Sequence, residues 1–447
     1  MTRSAASGFA LLTLMAALLA ALSGLGSAQL PRPPSPTQPG AGSGAGWLAY
    51  IGADGNVYVV DAGLQSRLAI TRDATAPAEG SGRSYHRLAW SRENQLAFAA
   101  VVRSGSQAAG QLYVLDRPDA SPRAIAQDPD HFFIYISWSP GSCSGRRACS
   151  QLAYLVEGKD GVDLHLVSLD ARRWLDRLAG TGRPFYFSWA PAGQEAGSLM
   201  AWHTGAEEPL AGPPRLALYD VAQHQARTLA IAPGSFLAPA WSPEGRHWLA
   251  VSREGAENQL LLLEADRPVQ VITAAQNELT FSWSPDGRYI AYAARARAQD
   301  PFYGPVRLLD LSTGRAAQLT AGAFRIRGFF WAPVTDRSNG ERHRLAYLTW
   351  LDLPGGEWSQ WRVVDVDSGE DRGFAAFNPT PLMRFAIHSS SQYAQSHRFW
   401  SPDGRYLVYA DRDERGVDRI WLVDTRAAPG SDPILVANGP LAYWSHR

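Results

Sequence analysis

Phe281-Ser-Trp-Ser-Pro-Asp-Gly-Arg-Tyr-Ile-Ala-Tyr292 reads as one strand ending at Trp283, a tight turn, and a second strand from Tyr289. Ser284 opens the turn and Pro285 presets φ at its second position. Asp286 tolerates the third position, and Gly287 takes the left-handed geometry that closes it. One such hairpin would mean little, but the unit recurs along the whole chain.

A Trp followed by Ser or Ala, usually then Pro, stands at Trp90, Trp138, Trp189, Trp241, Trp283, Trp331 and Trp400, with a last Trp-Ser at Trp444. The intervals are 48, 51, 52, 42, 48, 69 and 44 residues. After each turn comes an apolar-Ala-aromatic strand, as at Leu96-Ala-Phe98, Leu152-Ala-Tyr154, Met200-Ala-Trp202, Ile290-Ala-Tyr292 and Leu345-Ala-Tyr347. Next comes a strand ending in an acid, as at Asp116, Asp220, Asp310 and Asp424. A weaker fourth strand follows, as at Val271-Ile-Thr273. Four short strands every 40 to 50 residues is the period of a β-propeller blade.

The chain ends complete each other. Trp47-Leu-Ala-Tyr50, Val57-Tyr-Val-Val-Asp61 and Leu68-Ala-Ile-Thr71 supply the last three strands of a blade with no tryptophan strand before them, and Leu441-Ala-Tyr-Trp-Ser445 is a tryptophan strand with nothing after it. Joining them leaves no open sheet edge. The expected fold is all-β: an eight-bladed propeller of four-stranded antiparallel blades, spanning 47–447, closed by N- and C-terminal strands sharing one blade.

The repeated Trp-Ser-Pro-[Asp/Glu]-Gly with its apolar-Ala-aromatic strand resembles the TolB-type, WD40-like propeller repeat. Its fullest copies are Trp241-Ser-Pro-Glu-Gly245, Trp283-Ser-Pro-Asp-Gly287 and Trp400-Ser-Pro-Asp-Gly404. Trp189-Ala-Pro191 and Trp331-Ala-Pro333 depart from it, and Trp90-Ser-Arg-Glu lacks the proline. The resemblance implies an interaction platform in a bacterial envelope. Similar blades also cap prolyl-oligopeptidase-type peptidases, so the fold does not choose the role.

Composition is that of a folded soluble protein, with 45% hydrophobic and 19% charged residues. Formal net charge is zero, so no global field draws the chain to nucleic acid. Arg3, an uncharged apolar run from Phe9 to Leu22, and Gly26-Ser-Ala28 form a secretory signal peptide over 1–28. The competing reading, an uncleaved anchor, would be the chain's one tie to a membrane. Residues 29–46 are a Pro/Gly-rich linker. Export places the protein in the periplasm or outside the cell, and a monomer is expected.

The repeated acids recur at equivalent blade positions, where they serve turn backbone groups better than catalysis. The tryptophans likewise read as packing between blades. No Gly-x-Ser-x-Gly elbow and no His-x-x-x-His pair is present, and the ten histidines are scattered. No catalytic residue, metal ligand or cofactor is therefore assigned. Cys143 and Cys149 flank a turn in an exported chain and are read as a disulfide, since zinc would need more ligands.

The strongest break in the repeat is the interval from Trp331 to Trp400, whose insert ends Phe385-Ala-Ile-His-Ser-Ser-Ser-Gln-Tyr-Ala-Gln-Ser-His397. Long loops in compact folds are often functional. Gln392, Tyr393, Ser396 and His397 immediately precede a blade's inner strand and are the binding candidates, set against a plain packed plug. Phe302 and Tyr303 join them if Asp300-Pro-Phe-Tyr-Gly-Pro305 projects from the same face. Two functions stand: a non-enzymatic platform binding an envelope protein or polymer, and a glycan or peptide hydrolase or lyase working in the central funnel. A His-acid pair at His397 would favour the second.

Overall fold

A computed structural model describes residues 46–78, 81–140, 151–170, 173–191, 199–205, 212–333, 343–354 and 357–447. Three expectations lie outside the described residues: the signal peptide read over 1–28, all but the last residue of the linker read over 29–46, and the disulfide read between Cys143 and Cys149.

The turns that follow Trp241, Trp283 and Trp400 are held by their own backbone and side chains. The Gly287 N–H donates to the Ser284 carbonyl at 2.9 Å, Gly404 to Ser401 at 2.8 Å, and Gly245 to Ser242 at 2.9 Å. All three glycines have positive φ (76°, 62° and 75°), the left-handed conformation a side chain would strain. The serine hydroxyl then accepts from the first residue of the next strand, at 2.8 Å for both Tyr289 and Tyr406. Asp286 Oδ1 accepts from the Ser284 hydroxyl at 2.6 Å and from the Arg288 N–H at 3.1 Å. The strand-end acids do similar work: Asp220, Asp310 and Asp424 each accept from a backbone N–H two or three residues on.

These hairpins assemble into eight antiparallel sheets in a ring. Blade one is Leu441–Trp444, Trp47–Ile51, Val57–Asp61 and Arg67–Ala69, so both chain ends share it as expected. Leu48 pairs with Trp444 and Ile51 with Leu441. The seam is closed by the Trp47 N–H donating to Ser445 Oγ at 2.8 Å and the Ser445 N–H donating to the Trp47 carbonyl at 2.7 Å. Blade two carries a fifth short strand, Thr75–Ala78, beside its inner strand Ser81–Trp90. In blade eight the inner strand shrinks to a bridge between Trp400 and Leu407, beside the three strands Tyr406–Arg412, Asp418–Asp424 and Ile434–Asn438.

The tryptophans join blade to blade. The indole N–H of Trp90 donates to the Tyr443 carbonyl, Trp138 to Ala89, Trp241 to Ser188, Trp283 to Ala240 and Trp400 to Phe330. In each case the acceptor is the residue just before the preceding blade's tryptophan. The indole nitrogens of Trp189, Trp331 and Trp444 are buried with no such acceptor. Each bond adds about 1 kcal/mol to the burial of the ring.

Candidate binding site at the plugged channel

The insert before blade eight folds as two short helices, α1 (Pro381–His388) and α2 (Ser390–Tyr393). Thr380 caps α1, its hydroxyl accepting from the Met383 N–H, and Pro381 takes the first turn, where a missing N–H costs nothing. Met383, Phe385, Ala386 and Ile387 are buried. The insert enters the ring where inner strands begin, with the Thr380 hydroxyl donating to the Pro440 carbonyl at 2.5 Å. It leaves where they end, with the Arg398 carbonyl accepting from the Trp444 N–H at 2.9 Å. It therefore fills the channel lengthwise.

Four of the six binding candidates belong to this plug. Gln392 is 2% exposed and spends its carboxamide on one residue of blade four. Its Oε1 accepts from the Phe187 N–H at 3.0 Å and its Nε2 donates to the Phe187 carbonyl at 2.8 Å. The Tyr135 hydroxyl, on blade three, donates to the Gln392 carbonyl at 3.2 Å and lies against Ser396 Oγ. Burial pushes the Tyr135 hydroxyl up to about 12. Tyr393 is buried edge-on to Tyr135 and Phe385. His397 Nδ1 meets Ser396 Oγ at 2.6 Å, and its ring packs among Tyr135, Tyr393 and Tyr443. Burial, then the nearby Arg87, pushes His397 down to about 3, so it is neutral at ordinary pH. Among the described residues no carboxylate pairs with it.

Phe302 and Tyr303 stand elsewhere. Tyr303 exchanges backbone hydrogen bonds with Ile326, tying blade six to blade seven, and its buried hydroxyl donates to Glu278. The Arg325 guanidinium lies over the Phe302 ring at 5.2 Å. Among the described residues no hydrogen bond or ring contact joins either to Gln392, Tyr393, Ser396 or His397. Histidines that do meet carboxylates sit at turns and outer strands, as where His343 Nε2 contacts Asp286 Oδ2 at 2.7 Å between blades six and seven. No cluster of three His, Cys, Asp or Glu fit for a metal occurs among the described residues, and no helix there is long and apolar enough to cross a membrane.

At the exit face a cavity of about 110 Å³ remains between the plug and blades two to four. Trp90, Trp138 and Trp189 line it, together with Arg92, Arg398 and His446. Arg92 is exposed and Arg398 half-buried. Among the described residues neither forms an ion pair with a carboxylate. Burial, then Arg92, brings the Arg398 guanidinium down to about 10. His446 Nε2 donates to the Trp90 carbonyl at 3.1 Å, leaving Nδ1 buried and unpaired. Burial, then Arg398 and Arg92, holds His446 well below its usual range and hence neutral.

Sequence reasoning missed these three residues, yet a signal existed. Arg92 occupies the proline position of the Trp-Ser-Pro turn and His446 stands at the same offset from Trp444, where the other six repeats have Pro140, Pro191, Pro243, Pro285, Pro333 and Pro402. The two exceptions fall on adjacent blades.

No known family profile matches the chain, and no curated protein matches it by sequence. Solved structures do. TolB from Acinetobacter baumannii aligns over 81% of this chain and 80% of its own at 14% identity, with a TM-score of 0.37. Oligogalacturonate lyase in complex with manganese aligns over 78% and 83% at 12% identity, TM-score 0.43. Porphyromonas gingivalis dipeptidyl peptidase 4 aligns over 87% of this chain and 57% of the peptidase at 11% identity, TM-score 0.51. At such identities the likeness speaks to architecture alone: the chain is an eight-bladed β-propeller with a TolB and a peptidase among its structural neighbours.

Proposed function

We propose that this protein is an exported, non-catalytic propeller that binds a protein partner or an envelope polymer through the face where its tryptophan strands end. The observation that carries the reading is how the plug uses its polar groups. Gln392 satisfies the Phe187 backbone and Ser396 meets Tyr135 and His397, so the channel interior is occupied by structural bonds. What stays available is the mouth around Arg92, with unpaired positive charge and aromatic walls, a composition suited to recognition. Its place would be the periplasm or the cell exterior, as a monomer needing no cofactor.

The competing reading is a glycan or peptide hydrolase or lyase working in the channel. It would need carboxylates, or a His-acid pair, at the axis. The axial histidine, His397, instead meets Ser396 and three tyrosine rings.

The test is capture of partners from crosslinked cell envelopes by the wild-type chain, by Arg92→Glu at the mouth, and by Glu414→Lys. Glu414 is exposed in the hairpin between Tyr406–Arg412 and Asp418–Asp424, on the opposite face. A partner lost only with Arg92→Glu supports the reading. Loss only with Glu414→Lys, or turnover of glycan or peptide by the wild type, overturns it.

A further inference from the structure

We infer that the mouth of the plugged channel binds a carboxylate, gripped between Arg92 of blade two and Arg398 at the end of the insert, with the ligand's apolar stem against Trp90, Trp138 and Trp189. This rests on the binding-platform reading and adds the chemistry of what is bound. Three independent observations carry it.

The first is uncompensated charge. Arg92 and Arg398 border the same cavity. The charge of Arg92 opposes that of Arg398, and Arg447 adds to the crowding at Arg92. Several other arginines of this protein are matched, as Arg405 is to Asp424 at 2.6 Å and Arg412 to Asp418 at 2.6 Å. Two guanidiniums lining one cavity without a paired acid repel, and a bound anion turns that repulsion into two charge-assisted hydrogen bonds. Neutral His446 beside them adds no further charge.

The second is the break in the repeat. Proline at the third position of the turn presets its backbone, and six repeats use it. Blade two gives this up for Arg92, and His446, at the same offset from the blade-one tryptophan Trp444, borders the same cavity. A purely structural role would recur around the ring.

The third is shape. About 110 Å³ is several times the on-the-order-of-15 Å³ that one water requires. A carboxylate with a short stem fits, and three indoles supply an apolar wall for that stem. A bare inorganic anion would leave this wall unused.

The test is titration calorimetry on the folded chain at constant ionic strength with three probes: benzoate, its neutral counterpart benzamide, and inorganic phosphate. The expected result is binding of benzoate, no binding of benzamide, and phosphate weaker than benzoate. Arg92→Gln and Arg398→Gln each weaken benzoate by about tenfold or more, and Arg415→Gln on the opposite face leaves it unchanged. Arg92 is exposed, so its variant keeps the fold and carries the test even if the half-buried Arg398 variant does not. No benzoate binding, equal binding by the Arg92 variant, or phosphate binding as tight as benzoate each overturns the assignment. Partner capture separates this from the platform reading: benzoate binding without a partner sinks only the platform. A partner held at the mouth without benzoate binding sinks only the carboxylate site.

Discussion

Gln392 meets Phe187 as a neighbouring strand would, accepting from its N–H at 3.0 Å and donating to its carbonyl at 2.8 Å. The inner strand Phe185–Trp189 pairs on one side only, with Leu199–Thr204, so its other edge faces the axis. A buried backbone group without a partner costs about 1–3 kcal/mol. Gln392→Leu strands two, so its unfolding free energy in urea should fall by roughly 2–6 kcal/mol on that basis. An unchanged midpoint would show that the plug does not depend on this pair.

The indole bonds differ from blade to blade, which allows a matched comparison. Trp283 donates to the Ala240 carbonyl at 3.0 Å, whereas the Trp189 N–H has no acceptor. Replacing each with Phe removes similar ring area, so the difference isolates the hydrogen bond. Trp283→Phe should cost about 1 kcal/mol more than Trp189→Phe. Equal losses by denaturant titration would assign the tryptophans to packing alone.

Acid should weaken the protein through histidines buried in their neutral form. Burial lowers His86 to about 3, His203 to about 4 and His397 to about 3. In the unfolded chain each titrates near roughly 6.5. Between those values the unfolded state holds more protons, so stability is complete above about pH 6.5 and is lost as pH falls toward 3. Melting temperature measured from pH 7 to pH 4 should decline, and His397→Phe should make that decline shallower. A flat profile would contradict the buried neutral state.

One side-chain hydroxyl reinforces the strand pairing that closes the ring. Ser445 Oγ accepts from the Trp47 N–H at 2.8 Å and is fully buried. Ser445→Ala leaves that N–H unpaired and should cost about 1–3 kcal/mol. Hydrogen exchange should quicken first at the amides of Trp47–Ile51, ahead of the other blades. Uniform quickening around the ring would mean the seam is no weaker than the rest.

Much of the architecture was legible because its determinants are local. The Ser284–Gly287 turn is held by its own serine, aspartate and glycine, so its chemistry appears wherever the segment is copied. Counting copies sets the blade number, and unmatched strands at the two ends imply the shared blade seen between Trp47–Ile51 and Leu441–Trp444. The acids, too, could be read as turn partners from their periodic placement alone.

The site was not legible in this way. The insert is visible in the sequence as an interruption of the repeat, but the chain order of its residues does not say what each one meets. Only the ring decides that Gln392 lies against Phe187, 205 residues away, and that His446 lies against Trp90, 356 residues away. The physical reason is closure. Curling eight blades around an axis brings the first, the second and the axial insert together, and no local propensity encodes that meeting. Sequence determined the blade and its repetition; the closed ring decided which side chains share the channel and which arginines are left facing its mouth.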